Sequence, residues 1–310
     1  MSVLYPKVAF IGLGLIASSM ALAMRAANLC EVIVGHARSK ETRDVALEIG
    51  LVDAVFADPI AAVQDADLVV LALPVGAMGE MAALIGPHLK AGATVTDVGS
   101  VKVAVILAVQ PHLPVNVHFI PGHPIAGTEF SGPRSGFARL FQGRWWLLTP
   151  HPEIDTQAFA RLCELCRKMG AKVDQMDAAH HDLVLAVTSH TPHLIAYTMV
   201  GVADDLGRVT DSEVIQYSAA GFRDFTRIAS SDPTMWRDVF LNNKEATLEI
   251  LGRFTDELAQ LQNAIRLGDG AHLHAYFTRT RAIRRNIIDA GQDTSAANFG
   301  RDAKETTTKS

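Results

Sequence analysis

The segment VHFIPGHPIAGTEFSG, residues 117–132, contains side chains suited to proton transfer. His123 follows a short apolar run and precedes Pro124, which restricts the backbone, and Thr128 and Glu129 come soon after. An imidazole titrates near physiological pH and can therefore accept a proton from a reacting group. A histidine in a turn can equally be a surface or hydrogen-bonded residue. The elements that position His123 must decide between these interpretations.

Apolar runs alternate with helical patterns through the first half of the chain. The predicted strands are KVAFIG (7–12), EVIVG (31–35), DLVVLALP (67–74), ATVTDVG (93–99), VHFIPG (117–122) and WWLLTP (145–150). Helical candidates lie between them, at 15–28 and 40–49. Continuous apolar strands separated by helices are typical of a parallel sheet covered on both faces. We therefore predict an α/β domain.

The second half of the chain has apolar residues at helical spacing and no comparable strand pattern. Residues 178–207 are predicted to form one long apolar helix that bends near Pro192, and helical patterns follow at 232–268 and 271–288. We predict an all-α domain at 177–290 that packs against a partner. The polar segment 291–310 is expected to be disordered.

A glycine pattern after the first predicted strand indicates a dinucleotide-binding turn. The sequence GLGLIA, residues 12–17, ends a strand and opens a helix, the context that the GxGxxG/A motif requires. Its first glycine would make the tight turn, and its second would let the backbone approach a pyrophosphate at the helix N-terminus. An ordinary glycine-rich turn is the alternative. We predict a Rossmann-type NAD(P)-binding domain at 1–176, with cofactor contacts from Gly12, Leu13, Gly14, Leu15 and Ile16.

The residues after the second strand bear on the choice between NAD and NADP. An acidic residue at this place usually binds the ribose 2′-hydroxyl of NAD. Here the chain has Ala37, Arg38 and Ser39. Cations and hydroxyls without a carboxylate suit a 2′-phosphate, so the sequence favours NADP over NAD. Further cofactor contacts are expected in the loops after later strands, at Leu73, Pro74, Val75 and Gly99.

Ser100 and His123 follow two consecutive predicted strands. In open α/β sheets, ligands bind beyond the carboxyl ends of the strands. Both side chains are therefore expected at the sheet edge where the cofactor lies. This placement supports His123 as a catalytic group.

Composition argues against several classes of partner. The chain has 310 residues and a net charge of −5, which gives no reason to expect binding to nucleic acids or anionic membranes. No run approaches the roughly 18–20 apolar residues of a membrane span, and the N-terminus lacks the basic segment of a signal peptide. Three cysteines suit a reducing compartment, so we expect a cytoplasmic protein. Cys163 and Cys166 are interpreted as part of an amphipathic helix, although a redox role is conceivable.

Five segments together resemble one enzyme family. They are GLGLIASS (12–19), TDVGSVK (96–102), GHPIAGTE (122–129), SHTPHLIAY (189–197) and GFRDFTRIASSDPTMWRDVFLNN (221–243). In this order they resemble the prephenate/arogenate dehydrogenases of tyrosine biosynthesis, which include the cyclohexadienyl dehydrogenases. The resemblance implies a Rossmann-type domain followed by a helical domain that forms an intertwined homodimer. It also implies an oxidative decarboxylation, in which hydride leaves C4 of a cyclohexadienol for NAD(P), carbon dioxide departs and the ring becomes aromatic.

The resemblance also implies roles for individual residues. His123 would accept the 4-hydroxyl proton, and Ser100 would hydrogen-bond the imidazole or that hydroxyl. Arg227 matches the arginine that binds a substrate carboxylate, a role that suits a guanidinium. The other implied substrate contacts are Thr128 and Glu129 at the mouth of the site, His193 near the ring or side chain, and Trp236, which the partner subunit could supply.

Two alternative functions and one substrate choice are left open. Lys244 lies in a pattern similar to that of the β-hydroxyacid dehydrogenases, which use a lysine as acid and base, so that class is an alternative. A non-catalytic dinucleotide sensor is another. Arg223 either binds substrate or pairs with Asp224 or Asp232. The sequence does not choose between prephenate and arogenate.

The histidines at 180–193 raise the question of a metal site. His190 and His193 are three residues apart on one predicted helix, and His180 and His181 precede them. Zinc requires further converging ligands, and hydride transfer to nicotinamide needs no metal, so we expect none. His180 and His181 are interpreted as solvated or capping residues at a helix start.

Overall fold

A computed structural model describes residues 3–128, 130–210 and 217–289. Its first part is a parallel sheet of six strands in the order β3-β2-β1-β4-β5-β6. The strands are β1 (Tyr5–Ile11), β2 (Cys30–His36), β3 (Ala54–Phe56), β4 (Leu68–Leu71), β5 (Thr94–Asp97) and β6 (His118–Phe119). The strand order reverses beside β1, as in doubly wound dinucleotide-binding sheets. The predicted Rossmann-type class is confirmed.

Helices cover both faces of the six-stranded sheet. They are α1 (Leu15–Ala26), α2 (Lys40–Glu48), α3 (Pro59–Val63), α4 (Val75–Ile85) and α5 (Val103–Val109). All four side chains of β4 are buried, because a central parallel strand packs on both sides and needs no polar alternation. Two hydrophobic clusters result, one around Phe10 and Met20 and the other around Leu71 and Met78.

The predicted strand at 117–122 is in fact divided between two sheets. β6 ends the parallel sheet, and the chain then enters β7 (Gly122–Pro124) of a second, three-stranded sheet. β7 pairs antiparallel with β8 (Trp145–Leu148), which pairs parallel with β9 (Lys172–Gln175). His123 therefore lies within a strand, opposite Leu147, and not in a turn.

Prolines and strand length explain these differences from the sequence prediction. Pro121 lacks the N–H that a continuous ladder needs, so the chain leaves the parallel sheet after Ile120 and enters the second sheet at Gly122. β3 and β9 were not predicted because β3 has three half-buried residues and β9 is mostly exposed. α6 (Thr156–Lys168) precedes β9 and buries Cys163 and Cys166, as expected for an amphipathic helix.

The remainder of the described chain is helical, as predicted. A long helix consists of α7 (Ala178–Leu185), a π-helical turn (Ala186–His190) and α8 (Thr191–Thr210). It is followed by α9 (Ala220–Thr226), α10 (Pro233–Asn242), α11 (Lys244–Leu267) and α12 (Gly270–Asp289). The π-helical turn lies directly before Pro192, which has no N–H for the preceding turn. The predicted irregularity near Pro192 is therefore present.

Two compact units, Met1–Ile250 and Leu251–Ser310, divide within α11. The predicted domain boundaries, between residues 176 and 177 and between 290 and 291, stay predictions. The segment 291–310 lies outside the described residues. All the site residues discussed below belong to the first unit.

The stretch Ala178–Gly207 is long and apolar enough by composition to cross a membrane, with a mean hydropathy of 1.2. The stretch passes by its average composition, although it includes histidines and aspartates and is not an uninterrupted apolar run. The core helix of a globular protein passes the same test, and this stretch buries the polar side chains His181, Asp182 and His190 among protein contacts. Only 28% of the tested window is buried, so the stretch is a helix with one buried and one exposed face.

Candidate active site

The glycine turn after β1 has the geometry that a dinucleotide phosphate requires. Gly12 has a φ of +100°, and a Cβ here would lie 2.3 Å from the carbonyl oxygen of Ala72, so conformation and space both require glycine. No described atom lies within 4 Å of the Cβ position on Gly14, which precedes α1. Leu13 is buried, whereas Leu15 and Ile16 are half-buried. The open N-terminus of α1 therefore fits the pyrophosphate of NAD(P).

The loop after β2 is held by hydrogen bonds that leave one cation exposed. Ser39 caps α2 by accepting a hydrogen bond from the backbone N–H of Thr42 at 3.4 Å. Arg43 Nη1 donates to the carbonyl oxygens of Ala37 at 2.5 Å and Arg38 at 2.7 Å. Ala37 is buried, and the Arg38 side chain is exposed at the position where an acidic residue would bind the ribose of NAD.

The loop after β4 leads into α4, against which α10 packs. Leu73 is half-buried, Pro74 is exposed at the start of the helix, and Val75 is buried in the core. A Cβ on Gly76 would lie 3.1 Å from the Asp238 carboxylate of α10. This loop therefore lies at the contact between the sheet-containing and helical parts of the first unit.

A fully buried ion pair joins the ends of β5 and β7. Lys102 Nζ donates to the Asp97 carboxylate and to the carbonyl oxygen of Gly122, the latter at 2.6 Å. Asp97 also accepts hydrogen bonds from the backbone N–H groups of Gly99 at 2.8 Å and Gly122 at 3.1 Å. Burial lowers the pKa of Lys102, and Asp97 opposes that effect. The pair fixes the loop after β5 against β7.

Asp182 of α7 connects the helical part to the first turn of α5. Its carboxylate accepts hydrogen bonds from the backbone N–H of Lys102 at 2.7 Å and of Val103 at 2.9 Å. These N–H groups have no partner inside α5, so Asp182 caps that helix from a distant segment. Half-buried Ser100 lies two residues before the cap.

His123 is the first member of a chain of three side chains. His123 Nδ1 lies 2.9 Å from His181 Nε2, and His181 Nδ1 lies 2.8 Å from Asp182 Oδ1. His123 and His181 are buried, and burial lowers the pKa of both. The nearby charge of Lys102 lowers the pKa of His123 further. Both imidazoles are therefore neutral at physiological pH, and His123 is a candidate base.

A third buried histidine, His190, is connected to Asp182 through Asn243. Asn243 Nδ2 donates to the carbonyl oxygen of Asp182 at 2.8 Å and lies 3.0 Å from His190 Nδ1. His190 is fully buried, and burial lowers its pKa to about 4, an effect that the nearby charge of Asp182 opposes. Asn243 thus connects the end of α10 with Asp182 of α7 and with His190.

His193, Trp236 and Arg227 come together on the neighbouring helices. The rings of His193 and Trp236 stack with centroids 3.7 Å apart, and Trp236 itself is buried. His193 Nδ1 donates to the carbonyl oxygen of Ser189 at 2.8 Å. Burial lowers the pKa of His193, and the charge of Arg227 contributes to that shift. Trp236 thus contacts His193 of its own chain, and the Arg227 side chain is exposed.

The mouth of the proposed site is described only in part. Thr128 is exposed and its Oγ1 accepts a hydrogen bond from the backbone N–H of Phe130 at 3.3 Å. It lines a cavity of about 370 Å³ together with Arg139 and Arg144. Glu129 lies outside the described residues. None of the histidines described above lines this cavity.

Two further candidates from the sequence lie on the surface. Arg223 of α9 and Lys244, the first residue of α11, are both exposed. The neighbour of Lys244, Asn243, is instead the buried residue that contacts the cluster. No group of three metal-ligating side chains occurs among the described residues.

Sequence reasoning missed the residues that support His123. The interpretation of His181 as a solvated or capping residue was wrong, because its side chain is fully buried, whereas His180 is exposed as expected. The dipeptide His181-Asp182 directly before an apolar helical run was the available signal. Asp97 and Lys102 were similarly detectable as charges of opposite sign at the end of a buried strand.

Comparisons with known proteins agree over both parts of the chain. Residues 20–175 match the family model for the prephenate dehydrogenase nucleotide-binding domain, and residues 177–279 match the model for the prephenate dehydrogenase dimerization domain. The cyclohexadienyl dehydrogenase of Zymomonas mobilis subsp. mobilis is 41% identical over 280 residues, which cover 90% of this chain and 95% of that protein.

Solved structures show the same similarity. Prephenate dehydrogenase from A. aeolicus in complex with hydroxyphenyl propionate and NAD+ superposes with a TM-score of 0.86 and 32% identity, covering 93% of this chain and 99% of that one. Synechocystis arogenate dehydrogenase gives a TM-score of 0.75 and 28% identity over 90% of this chain and 99% of that one. Because these matches include both the sheet-containing and the helical parts, the chain belongs to the prephenate dehydrogenase family of oxidoreductases.

Proposed function

We propose that this protein catalyses the oxidative decarboxylation of prephenate, arogenate or both in tyrosine biosynthesis, and that it uses NADP in preference to NAD. The observation that carries the activity is the buried His123, bound through Nδ1 to His181 in a chain of this family. The products would be 4-hydroxyphenylpyruvate from prephenate and tyrosine from arogenate. The β-hydroxyacid dehydrogenase alternative is not favoured, because both family models that match and the 41% identical relative are prephenate or cyclohexadienyl dehydrogenases.

In the proposed reaction His123 acts as the base, and Ser100 provides a supporting hydrogen bond. His123 accepts the proton of the substrate 4-hydroxyl as the C4–H bond breaks. When bound, the nicotinamide accepts the hydride that leaves C4. The ring carboxylate departs as carbon dioxide, the ring becomes aromatic, and His123 returns its proton to the ring oxygen. Ser100 holds the hydroxyl or the imidazole in place through a hydrogen bond.

The remaining assigned residues bind the substrate. Arg227 binds a substrate carboxylate through its guanidinium, and its electrostatic effect on His193 supports a location at the same site. His193 and Trp236 form a stacked pair that would contact the ring or side chain. Thr128 and Glu129 are proposed to contribute polar contacts at the entrance.

The cofactor proposal rests on the loop after β2 and the turn after β1. Gly12, Gly14 and the N-terminus of α1 would hold the pyrophosphate, and exposed Arg38 with Ser39 would face the 2′-phosphate of NADP. The further cofactor contacts proposed are Leu13, Leu15, Ile16, Ala37, Leu73, Pro74, Val75 and Gly99.

Turnover of the purified protein in a two-by-two grid tests the function, the cofactor and the substrate together. Prephenate or arogenate is combined with NAD or NADP, and reduced nucleotide is followed by its absorbance. We expect turnover with at least one substrate and a higher kcat/KM with NADP. Absence of turnover in all four combinations would contradict the activity, and a higher kcat/KM with NAD would contradict the cofactor preference.

A homodimer and a cytoplasmic location complete the proposal. The match to a dimerization domain supports the dimer. So do exposed apolar side chains on α8, among them Met199, Val200, Val202 and Leu206. Three free cysteines support a reducing, cytoplasmic environment.

The acid limb of the pH profile is expected below the range of an ordinary histidine. Burial lowers the pKa of His123 well below 6.5, so the base stays unprotonated as the pH falls through that value. We expect kcat/KM to change little between pH 8 and about 6.5 and to fall only at lower pH. A profile of kcat/KM against pH, corrected for enzyme stability at each pH, measures this. A midpoint at or above 6.5 would contradict the assignment.

Replacing Arg227 with alanine is expected to weaken substrate binding more than turnover. Loss of a charge-assisted contact of roughly 2–5 kcal/mol raises KM by about 30-fold to several thousand-fold, with a smaller effect on kcat. Arg227→Lys keeps the charge without the bidentate geometry, so its KM should lie between those of the parent and of Arg227→Ala. The matched control is Arg223→Ala, at an exposed arginine in the preceding turn. An equal rise of KM in the control would remove the reason for assigning the carboxylate to Arg227.

A further inference from the structure

We propose that His181, held by Asp182, is a positioning residue that fixes the tautomer of His123 and stabilises the charge that His123 acquires when it takes up a proton. This inference rests on the proposed function, in which His123 is the base. His181 and Asp182 act through His123 and need no contact with the substrate.

The hydrogen bonds of Asp182 determine the orientation of His181. The Asp182 carboxylate already accepts two backbone N–H groups, one on each oxygen, from Lys102 and Val103, so both oxygens act as acceptors. His181 Nδ1, at 2.8 Å from Asp182 Oδ1, must therefore carry the proton of that hydrogen bond. Because burial lowers the pKa of His181, its ring is neutral and its Nε2 keeps a lone pair.

The orientation of His181 in turn determines the tautomer of His123. His123 Nδ1 lies 2.9 Å from His181 Nε2. Because His181 Nε2 carries a lone pair and no proton, His123 Nδ1 must be the donor of this hydrogen bond. A neutral His123 ring then has its lone pair on Nε2. That nitrogen is the one left to accept the substrate proton. The chain Asp182–His181–His123 thus permits one tautomer of the base.

The charges around the two imidazoles explain why Asp182 contacts His181 and not His123 itself. His123 faces the positive charge of Lys102, which together with burial disfavours its protonated form. His190 and the Lys102-bound Asp97 are the other ionisable groups nearby. When His123 takes up a proton, the dipole of His181, oriented by Asp182, stabilises the new charge. A carboxylate in direct contact with His123 would instead raise its resting pKa.

Two variants of His181 separate this positioning role from a purely structural one. In His181→Gln the longer amide reaches towards His123 and can accept its Nδ1 proton, but it loses the short contact to Asp182. In His181→Asn the amide keeps the hydrogen bond to Asp182 but does not reach His123. We expect kcat to fall about 10–100-fold in His181→Asn and considerably less in His181→Gln, with KM and nucleotide affinity within about twofold of the parent. A role confined to anchoring Asp182 predicts the opposite order.

Nitrogen NMR of histidine-labelled parent protein tests the tautomer without any turnover. We expect a protonated Nδ1 and an unprotonated Nε2 on His123, identified by the signals lost in His123→Asn, and a tautomer mixture in His181→Asn. Thermal unfolding and near-UV circular dichroism check that the variants fold. An Nε2-protonated His123 in the parent, equal kcat values in the two His181 variants, or the reverse order of activity would overturn the proposal. Absence of parent turnover with both substrates would count against the proposed function, whereas the NMR result would still decide the tautomer.

Discussion

Substitution of His123 by asparagine is expected to lower kcat by about 10²–10⁴-fold while KM for the substrate and the affinity for the nucleotide stay close to those of the parent. The imidazole is needed to take up the 4-hydroxyl proton, and an amide cannot do so. Asparagine places its Nδ2 near the position of His123 Nδ1 and can still donate to His181, so the buried acceptor keeps a partner. The loss should therefore be one of chemistry and not of folding.

The effect of His123→Asn is measured in two ways. Steady-state kinetics with the preferred substrate give kcat and KM, and a fluorescence titration gives the affinity for the nucleotide. The matched control is His180→Asn, at an exposed histidine next to His181, for which we expect unchanged kinetics. Near-normal turnover of His123→Asn would show that another group is the base. A large rise of KM with unchanged kcat would show that His123 binds substrate without acting as a base.

Substitution of Asp97 by asparagine is expected to lower the free energy of unfolding by about 3–5 kcal/mol. Lys102 would remain fully buried without its counter-charge. The amide would also present a donor where the carboxylate accepts hydrogen bonds from Lys102, Gly99 and Gly122. Denaturant unfolding followed by tryptophan fluorescence and circular dichroism gives the value.

Two comparisons make the Asp97 experiment specific. Asp44→Asn breaks the exposed ion pair between Lys40 and Asp44 and should leave the free energy of unfolding almost unchanged. The double variant Asp97→Asn/Lys102→Met removes the uncompensated charge and should be more stable than Asp97→Asn alone. A loss in Asp97→Asn no larger than that in Asp44→Asn would mean that the buried pair contributes no more than a surface pair.

The sequence predicted the architecture well because long periodic signals determine it. The strand–turn–helix pattern at GLGLIA predicted a tight glycine turn, and the apolar run LVVL predicted a strand buried on both faces; both are present. Short elements were less predictable. β3, β7 and β9 have three or four residues each, and sheet pairing, which is non-local, determines where they form.

The candidate site was predictable only for residues that carry a local motif. His123 and Ser100 were found because each follows a predicted strand. His181 lies 58 residues from His123 and Asp182 lies 80 residues from Lys102 in sequence, and these contacts depend on how α7 packs against the start of α5. The dipeptide His181-Asp182 before an apolar helical run was a local signal, but it did not identify His123 and the start of α5 as its partners.

The π-helical turn at Ala186–His190 determines which residues of the following helix face the buried cluster. His181 and His190 are nine residues apart, and at about 100° per residue a regular α-helix would place them on opposite sides. The wider turn accommodates an additional residue and rotates the following helix back by about 100°, so that both histidines reach the buried cluster around Asp182. A one-residue deletion in this turn would rotate α8 about its axis relative to α7 and turn His193 away from its present position. An insertion or deletion here would therefore change which residues of α8 face the cluster, while His123 and His181 would stay in place.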